Sequence, residues 1–265
     1  MDEIDKRILY LLFKDGRMAQ RKLAEELGLT PPTLSYRLKK LEDDGILRGF
    51  TLFINPSFLS MYFGFAAFIN QRDYDSDWIF LKFKCVEWLN VYGVTGRSLR
   101  ELDERIGKMS DVLGETRLKY IPEQVPIEVK PLDISILNAL SKNPRASESE
   151  ISQETGIPSK TVSKRLRILS KRGTFSVFPL IDVAKSGLIM FSMFSRELKR
   201  VTGPLEQCTI FRITDGRAGI NVCLVENMLQ TRNYVNSARF QDPDAEVMII
   251  YDYYLDSDLL EVTGN

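Results

Sequence analysis

The sequence predicts an α+β protein in which a three-helix head, closed by a β-rich segment, alternates twice with a βαββαβ domain. Three observations carry this. First, residues 160–172 place Val162, Leu166 and Leu169 at i, i+4 and i+7. Lys160, Lys164, Arg165, Arg167, Lys171 and Arg172 occupy other positions with no acidic residue among them, so this is an amphipathic helix with a cationic surface. Second, a short helical segment at 148–155 precedes it across the tight turn Gly156-Ile157, the arrangement of a helix-turn-helix. Third, the stretch has an ungapped twin. Subtracting 128 takes Gly156-Ile157 to Gly28-Leu29, Arg165-Leu166 to Arg37-Leu38, Leu169 to Leu41 and Gly173 to Gly45. The match runs back through Arg145 and Arg17, Leu140 and Leu12, and Asp133 and Asp5. A period this long means two domain pairs in tandem rather than a solenoid.

Residues 1–13 set Ile4, Ile8, Leu11 and Leu12 at helical spacing, with Asp2, Glu3 and Asp5 at the positive end of the helix dipole. Asp15-Gly16 ends this helix. Residues 18–27 form a second one, with Leu23, Ala24 and Leu27 inward and Gly28 as its stop. Thr30 is a good N-cap and Pro31 fits the first helical position of a third, which buries Leu34, Leu38 and Leu41 and halts at Gly45. Residues 46–54 are consistent with a wing hairpin. Beyond them, 62–69 reads as a buried strand, 77–83 as a short helix, 88–94 as a strand, 99–113 as an amphipathic helix and 116–121 as a last strand. On this reading the first copy lacks or shortens its third strand, between Arg97 and Leu99. The proline-punctuated stretch 121–131 is an extended, stiff linker. The second copy is complete: strand 188–194, helix 196–207, strands 209–214 and 220–225, helix 227–240 and strand 246–254. The expected units are therefore 1–55, 56–126, 127–183 (with the linker) and 184–265.

Composition narrows the chemistry. A 265-residue chain with 44% hydrophobic, 27% charged and 10% aromatic residues can bury ample cores. Zero net charge excludes a protein that coats nucleic acid by bulk charge, yet leaves room for a local basic patch. Histidine is absent altogether, which removes the commonest general base and metal ligand. No catalytic constellation, metal site or cofactor is expected. Cys85, Cys208 and Cys223 are far apart without CxxC spacing and read as core residues in a reducing compartment. The chain is charged from Asp2 and no run approaches 18 apolar residues, so a cytoplasmic protein with no membrane contact is expected.

The segments Ile4-Asp5-Lys6-Arg7-Ile8-Leu9, Asp15-Gly16-Arg17, Leu23-Ala24-Glu25-Glu26-Leu27-Gly28-Leu29 and the run from Arg37 to Leu47 resemble the N-terminal domain of the Lrp/AsnC (feast/famine) transcription regulators. The βαββαβ portions resemble that family's RAM-type domain by pattern rather than by motif. The resemblance implies a sequence-specific regulator of double-stranded DNA, with winged heads carried on ferredoxin-like domains. A usual member has one copy and dimerises as a homo-oligomer; two copies in one chain imply an intrachain pseudo-dimer. Thr33, Tyr36, Arg37 and Lys40 in the first head, and Lys160, Thr161, Lys164, Arg165 and Arg167 in the second, are placed to touch phosphates or base edges. Arg37 and Arg165 adjoin the leucine face, so packing against a neighbouring helix is an equal alternative. The first recognition-type helix ends in Glu42-Asp43-Asp44, so the second head is the stronger DNA binder on charge.

Family members bind small effectors near a loop between their second and third strands. The corresponding segments here resemble Val94-Thr95-Gly96-Arg97-Ser98 and Ile213-Thr214-Asp215-Gly216-Arg217-Ala218, with arginine where the family has an acidic residue. An anionic effector held by Thr95 and Arg97 or by Thr214 and Arg217 is one reading, and a solvent-exposed turn arginine is the other. Two rivals stay open for the whole chain. Sirohaem decarboxylases resemble the same fold but depend on histidines near the tetrapyrrole. An architectural or scaffold protein is the second rival, because the acidic end of the first head allows a loss of DNA binding.

Overall fold

A computed structural model describes residues 1–70, 72–86, 89–127, 130–214 and 217–256. The first head contains α1 (Glu3–Lys14), α2 (Gln20–Leu27) and α3 (Pro31–Asp43), followed by β1 (Leu47–Ile54). Asp2 and Asp5 form a reciprocal capping box at the start of α1, and Thr30 caps α3 as its sequence demands. Gly28 takes φ 64°, the left-handed geometry that ends a helix without a Cβ penalty. The first sheet-forming half holds β2 (Tyr62–Ile69), β3 (Ile79–Cys85), β4 (Leu89–Gly96), α4 (Leu99–Leu113) and β5 (Thr116–Tyr120). The second head repeats the first with α5 (Pro131–Lys142), α6 (Glu148–Thr155), α7 (Ser159–Lys171) and β6 (Phe175–Ile181). After the short α8 (Val183–Ser186) come β7 (Ile189–Ser195), α9 (Leu198–Leu205), β8 (Thr209–Thr214), β9 (Gly219–Val225), α10 (Met228–Gln241) and β10 (Glu246–Leu255). This half is the full βαββαβ unit the sequence predicts.

Three sequence expectations are corrected. The segment at 46–54 is no local hairpin. β1 pairs antiparallel with β6 of the other head, with Leu52 opposite Val177 and Phe53 opposite Ser176. Each copy contributes a single strand whose hydrogen-bonding edge has no local partner, and its twin supplies one. Residues 77–83 are not a helix either, since Ile79–Cys85 is strand β3. Lys82 and Lys84 alternate there with the buried Leu81, Phe83 and Cys85, a period of two in a run too short for helix and strand to be told apart by eye. In consequence the first half is βββαβ among the described residues: its third strand, β4, is present, and the helix expected between its first two strands is what is missing. Trp88 of the predicted strand, Glu128 and Val129 of the linker, and Asp215 and Gly216 of the second effector loop lie outside the described residues.

All other strands join one eight-stranded sheet in the order β5-β2-β4-β3-β10-β7-β9-β8. The halves meet where β3 pairs antiparallel with β10, Phe83 opposite Tyr253. One face of the sheet carries α4 in the first half and α9 and α10 in the second, each over its own apolar cluster. The heads share a continuous core with the opposite face, from Ile8 and Leu12 through Phe53 and Phe178 to Leu81 and Ile220. That face is concave: Tyr120 on edge strand β5 reaches across to donate a 2.9 Å hydrogen bond to the Ala218 carbonyl, and its ring lies 5.6 Å from that of Phe194 on β7. The linker is extended and pinned. The Gln124 side chain accepts from the Phe63 N–H at 2.9 Å and donates to its carbonyl at 2.6 Å.

Candidate nucleic-acid interface

The two heads are fixed to each other by an arginine from each copy. Arg17, in the α1–α2 turn, donates to the carbonyls of Pro144 and Ala146 at 2.7 and 2.6 Å. Its twin Arg145 donates to the Met18 carbonyl at 2.9 Å and stands 4.6 Å above the Phe50 ring. Burial pulls the pKa of both guanidinium groups down from its ordinary value. The two arginines occupy equivalent positions of the repeat, and each reaches across to backbone of the other head.

On α7 the apolar residues Val162, Leu166 and Leu169 are buried, and Lys160, Lys164, Arg167 and Lys171 form a continuous exposed stripe at i, i+4, i+7 and i+11. None of these four makes an ion pair among the described residues. Thr161 is half-buried beside the stripe. The positions 128 residues earlier on α3 are Pro32, Tyr36, Lys39 and Asp43, all exposed, with Tyr36 at 69%. The formal charge of the stripe is therefore four positive on α7 and zero on α3. Thr33 and Lys40 are also exposed, although the Thr33 hydroxyl is 2.8 Å from that of the N-cap Thr30. Lys39 and Lys171 are exposed on the same two surfaces, Lys171 one further turn along the α7 stripe.

Arg37 and Arg165 are placed differently. Arg37 donates to Asp2 and Asp5 at 2.8 and 2.7 Å, while Arg165 forms a two-pronged pair with Asp133, its Nε at 2.7 Å. Asp5 and Asp133 are buried, so each arginine offsets the desolvation of a carboxylate and ties the recognition helix to the first helix of its head. These hydrogen bonds hold the pKa of both arginines above its usual value. Asp2 is held below the ordinary carboxylate range, mainly by the Asp5 N–H and then by Arg37.

The four effector candidates do not converge. Thr95 is fully buried in β4, where its hydroxyl donates to the Trp78 carbonyl at 3.1 Å, so it offers nothing to a ligand. Arg97 is exposed but follows the third strand of its half and leads into α4. Thr214 and Arg217 flank the turn between the second and third strands of the other half, where the Thr214 hydroxyl donates to the Ala218 carbonyl at 2.9 Å. The shifted strand count in the first half caused this mismatch. The three cysteines are buried and unbridged.

Residues 1–48 and 130–174 match the winged helix-turn-helix DNA-binding family. An uncharacterized HTH-type transcriptional regulator of Pyrococcus abyssi is 46% identical over 55 residues, 21% of this chain and 37% of that protein. The HTH-type transcriptional regulator LrpA of Bacillus subtilis is 40% identical over 70 residues, 26% of this chain and 50% of its own length. The chain thus spans half or less of the length of these relatives. Among solved structures, the siroheme decarboxylase NirDL superposes with a TM-score of 0.48 at 11% identity, over 99% of this chain and 97% of that one. No helix among the described residues is long and apolar enough to cross a membrane.

Proposed function

We propose that this chain, with its two winged helix-turn-helix heads in tandem, is a sequence-specific DNA-binding regulator of Lrp/AsnC type built as an intrachain pseudo-dimer, with α7 as its principal reading helix. The carrying observation is the outward stripe of Lys160, Lys164, Arg167 and Lys171 on a helix whose other faces are anchored by buried leucines and by Asp133. Lysine and arginine supply the salt-dependent phosphate attraction. Thr161 and, on the other head, Thr33, Tyr36 and Lys40 have the side chains to discriminate base edges. Two non-identical helices on one rigid pair of heads prefer an asymmetric site, its halves about 34–36 Å or a multiple apart.

The test is selection from a random duplex library with the purified full chain, followed by sequencing. An enriched asymmetric motif that disappears with the Lys160→Glu/Lys164→Glu double variant supports the reading. A library left at background composition by both proteins defeats it. The sirohaem reading is checked on the same sample: incubation with iron-bound tetrapyrrole that yields no Soret band from bound pigment counts against it.

A further inference from the structure

Between the concave face of the sheet and the heads lies a cavity of about 940 Å³, in the size range of small-molecule sites. Its floor is aromatic. The Phe53 ring sits 5.1 Å from Phe211 and 6.1 Å from Phe80, and Phe178 sits 5.6 Å from Phe211, all tilted or edge-on. Its rim comes from both heads: the α1–α2 turn of the first, and Ser163, Leu166, Arg167 and Ser170 along one side of α7.

The cations on this lining are not equivalent. The Lys14 ammonium is engaged by the Thr209 carbonyl, and Arg212 by Glu206 and Asn221. Arg17 holds two carbonyls of the opposite head, and the rest of its fork has no partner among the described residues. Asp15 and Glu148 bring negative charge to the same rim, and the Asp15 carboxylate already accepts from the Arg17 backbone N–H at 3.0 Å. Arg167 alone among the described lining cations has no partner. It also stands at the seam of α7, where the cavity-facing stripe of Ser163, Leu166 and Ser170 meets the outward stripe of Lys160, Lys164 and Lys171.

We propose that this cavity binds a small organic anion, its ring-sized apolar body on the phenylalanine floor and its negatively charged oxygens on Arg167 and the unused N–H groups of Arg17. Binding there draws Arg167 away from the DNA face of α7. This second step rests on the regulator reading; occupancy of the cavity does not.

The probe is 1-anilinonaphthalene-8-sulfonate, whose fluorescence rises when its rings leave water, titrated into the full chain without DNA. Expected are one saturable site per chain, affinity lowered on the order of tenfold or more by Arg167→Glu with partial recovery in Arg167→Lys, and loss of the signal in Ser176→Trp. Ser176 is an exposed lining residue on β6, so an indole there fills the space without entering the core. The neutral N-phenyl-1-naphthylamine should bind on the order of tenfold more weakly than the sulfonate. Absence of saturable binding, binding that survives both Ser176→Trp and Arg167→Glu, or equal affinity for the neutral dye overturns the site. In a separate arm, saturating sulfonate should lower the salt slope of DNA binding by about 0.9. An unchanged slope refutes the coupling, and no DNA binding at all refutes the regulator reading while the dye result stands.

Discussion

Removing one lysine from α7 gives a quantitative reading of the interface. Each cation that neutralises a phosphate contributes about 0.9 to the slope of log affinity against log salt. Lys160, Lys164, Arg167 and Lys171 together then account for roughly 3.6 of that slope, whereas the matching α3 stripe, with Lys39 balanced by Asp43, contributes almost nothing. Lys164→Ala should lower the slope by about 0.9, so that raising salt from about 50 to about 200 mM weakens the variant roughly 3.5-fold less than the parent. The triple variant Lys160→Ala/Lys164→Ala/Lys171→Ala should lower it by about 2.7. Tyr36→Ala, at the position equivalent to Lys164, should leave it unchanged. The assay is fluorescence anisotropy of a labelled duplex across a potassium chloride series. All of these residues are exposed, so the variants should melt within about 0.5 kcal/mol of the parent. A triple variant that folds normally yet keeps the parental slope refutes α7 as the phosphate-binding surface.

Four further outcomes probe the frame that carries the heads. A methyl on Gly16 would lie 2.2 Å from the Val177 carbonyl oxygen, so Gly16→Ala must push α1 away from β6 and cost about 1–3 kcal/mol in urea unfolding; an unchanged midpoint contradicts the packing. Arg145→Ala loses the bond to Met18 and the contact with Phe50, and should destabilise by about 1.5–3 kcal/mol in the same assay, whereas a neutral effect would mean the heads are held by apolar contact alone. Tyr253 accepts from the Ile181 N–H and donates to the Pro179 carbonyl, and burial raises its pKa above the ordinary 10.0. The folded state keeps this phenol neutral while the unfolded chain would ionise it, so its contribution is full below pH 10 and is lost as pH rises beyond; Tyr253→Phe should flatten that alkaline decline, and an identical decline rules Tyr253 out as its source. Fragment 1–126 leaves the pairing edges of β1 and β3 uncovered, so light scattering should find dimers or aggregates, and a stable monomer would contradict the cross-copy pairing.

Much of this architecture is legible in the chain because its signals are local. Pro31 after Thr30, the stops at Gly28, Gly45, Gly156 and Gly173, and the leucine periods of α3 and α7 fix both heads to within a residue or two. The second βαββαβ half is equally plain, since β7 and β9 are short, almost wholly buried apolar runs set between helical stretches. The failures fall where the deciding partner is remote. Nothing in residues 46–54 names residues 175–181 as the strand beside them. In 79–85 the alternation of lysine with apolar residues has meaning only once Asp73 and Asp75 are seen to meet Lys82. At the interface, the leucine face beside Arg37 and Arg165 left DNA contact and packing against a neighbouring helix as equal readings, and what decides for packing is Asp5 and Asp133, thirty-two positions earlier in each copy. The phenylalanine-lined cavity is further from reach still, because its floor gathers Phe53, Phe80, Phe178 and Phe211 from four separate strands.

The cross-copy pairings also explain why the two heads can differ so sharply in charge. In a dimer of identical chains, any change on the reading helix is made twice, and a weakened head weakens both half-sites together. Here the β1–β6 ribbon, the β3–β10 junction and the Arg17 and Arg145 clasps hold the copies in place through backbone and buried groups that none of the four stripe positions touches. On the proposed reading, replacing Lys160, Lys164 and Lys171 by the residues found at Pro32, Tyr36 and Asp43 would therefore remove phosphate attraction from one head without loosening the frame. Position is preserved while affinity is redistributed. On the regulator reading, a head so placed would still limit which sequences can lie beside α7, because Tyr36 and Lys40 remain exposed on α3. On that reading its contribution would be to selectivity, through clashes and base-edge contacts, more than to the strength of binding.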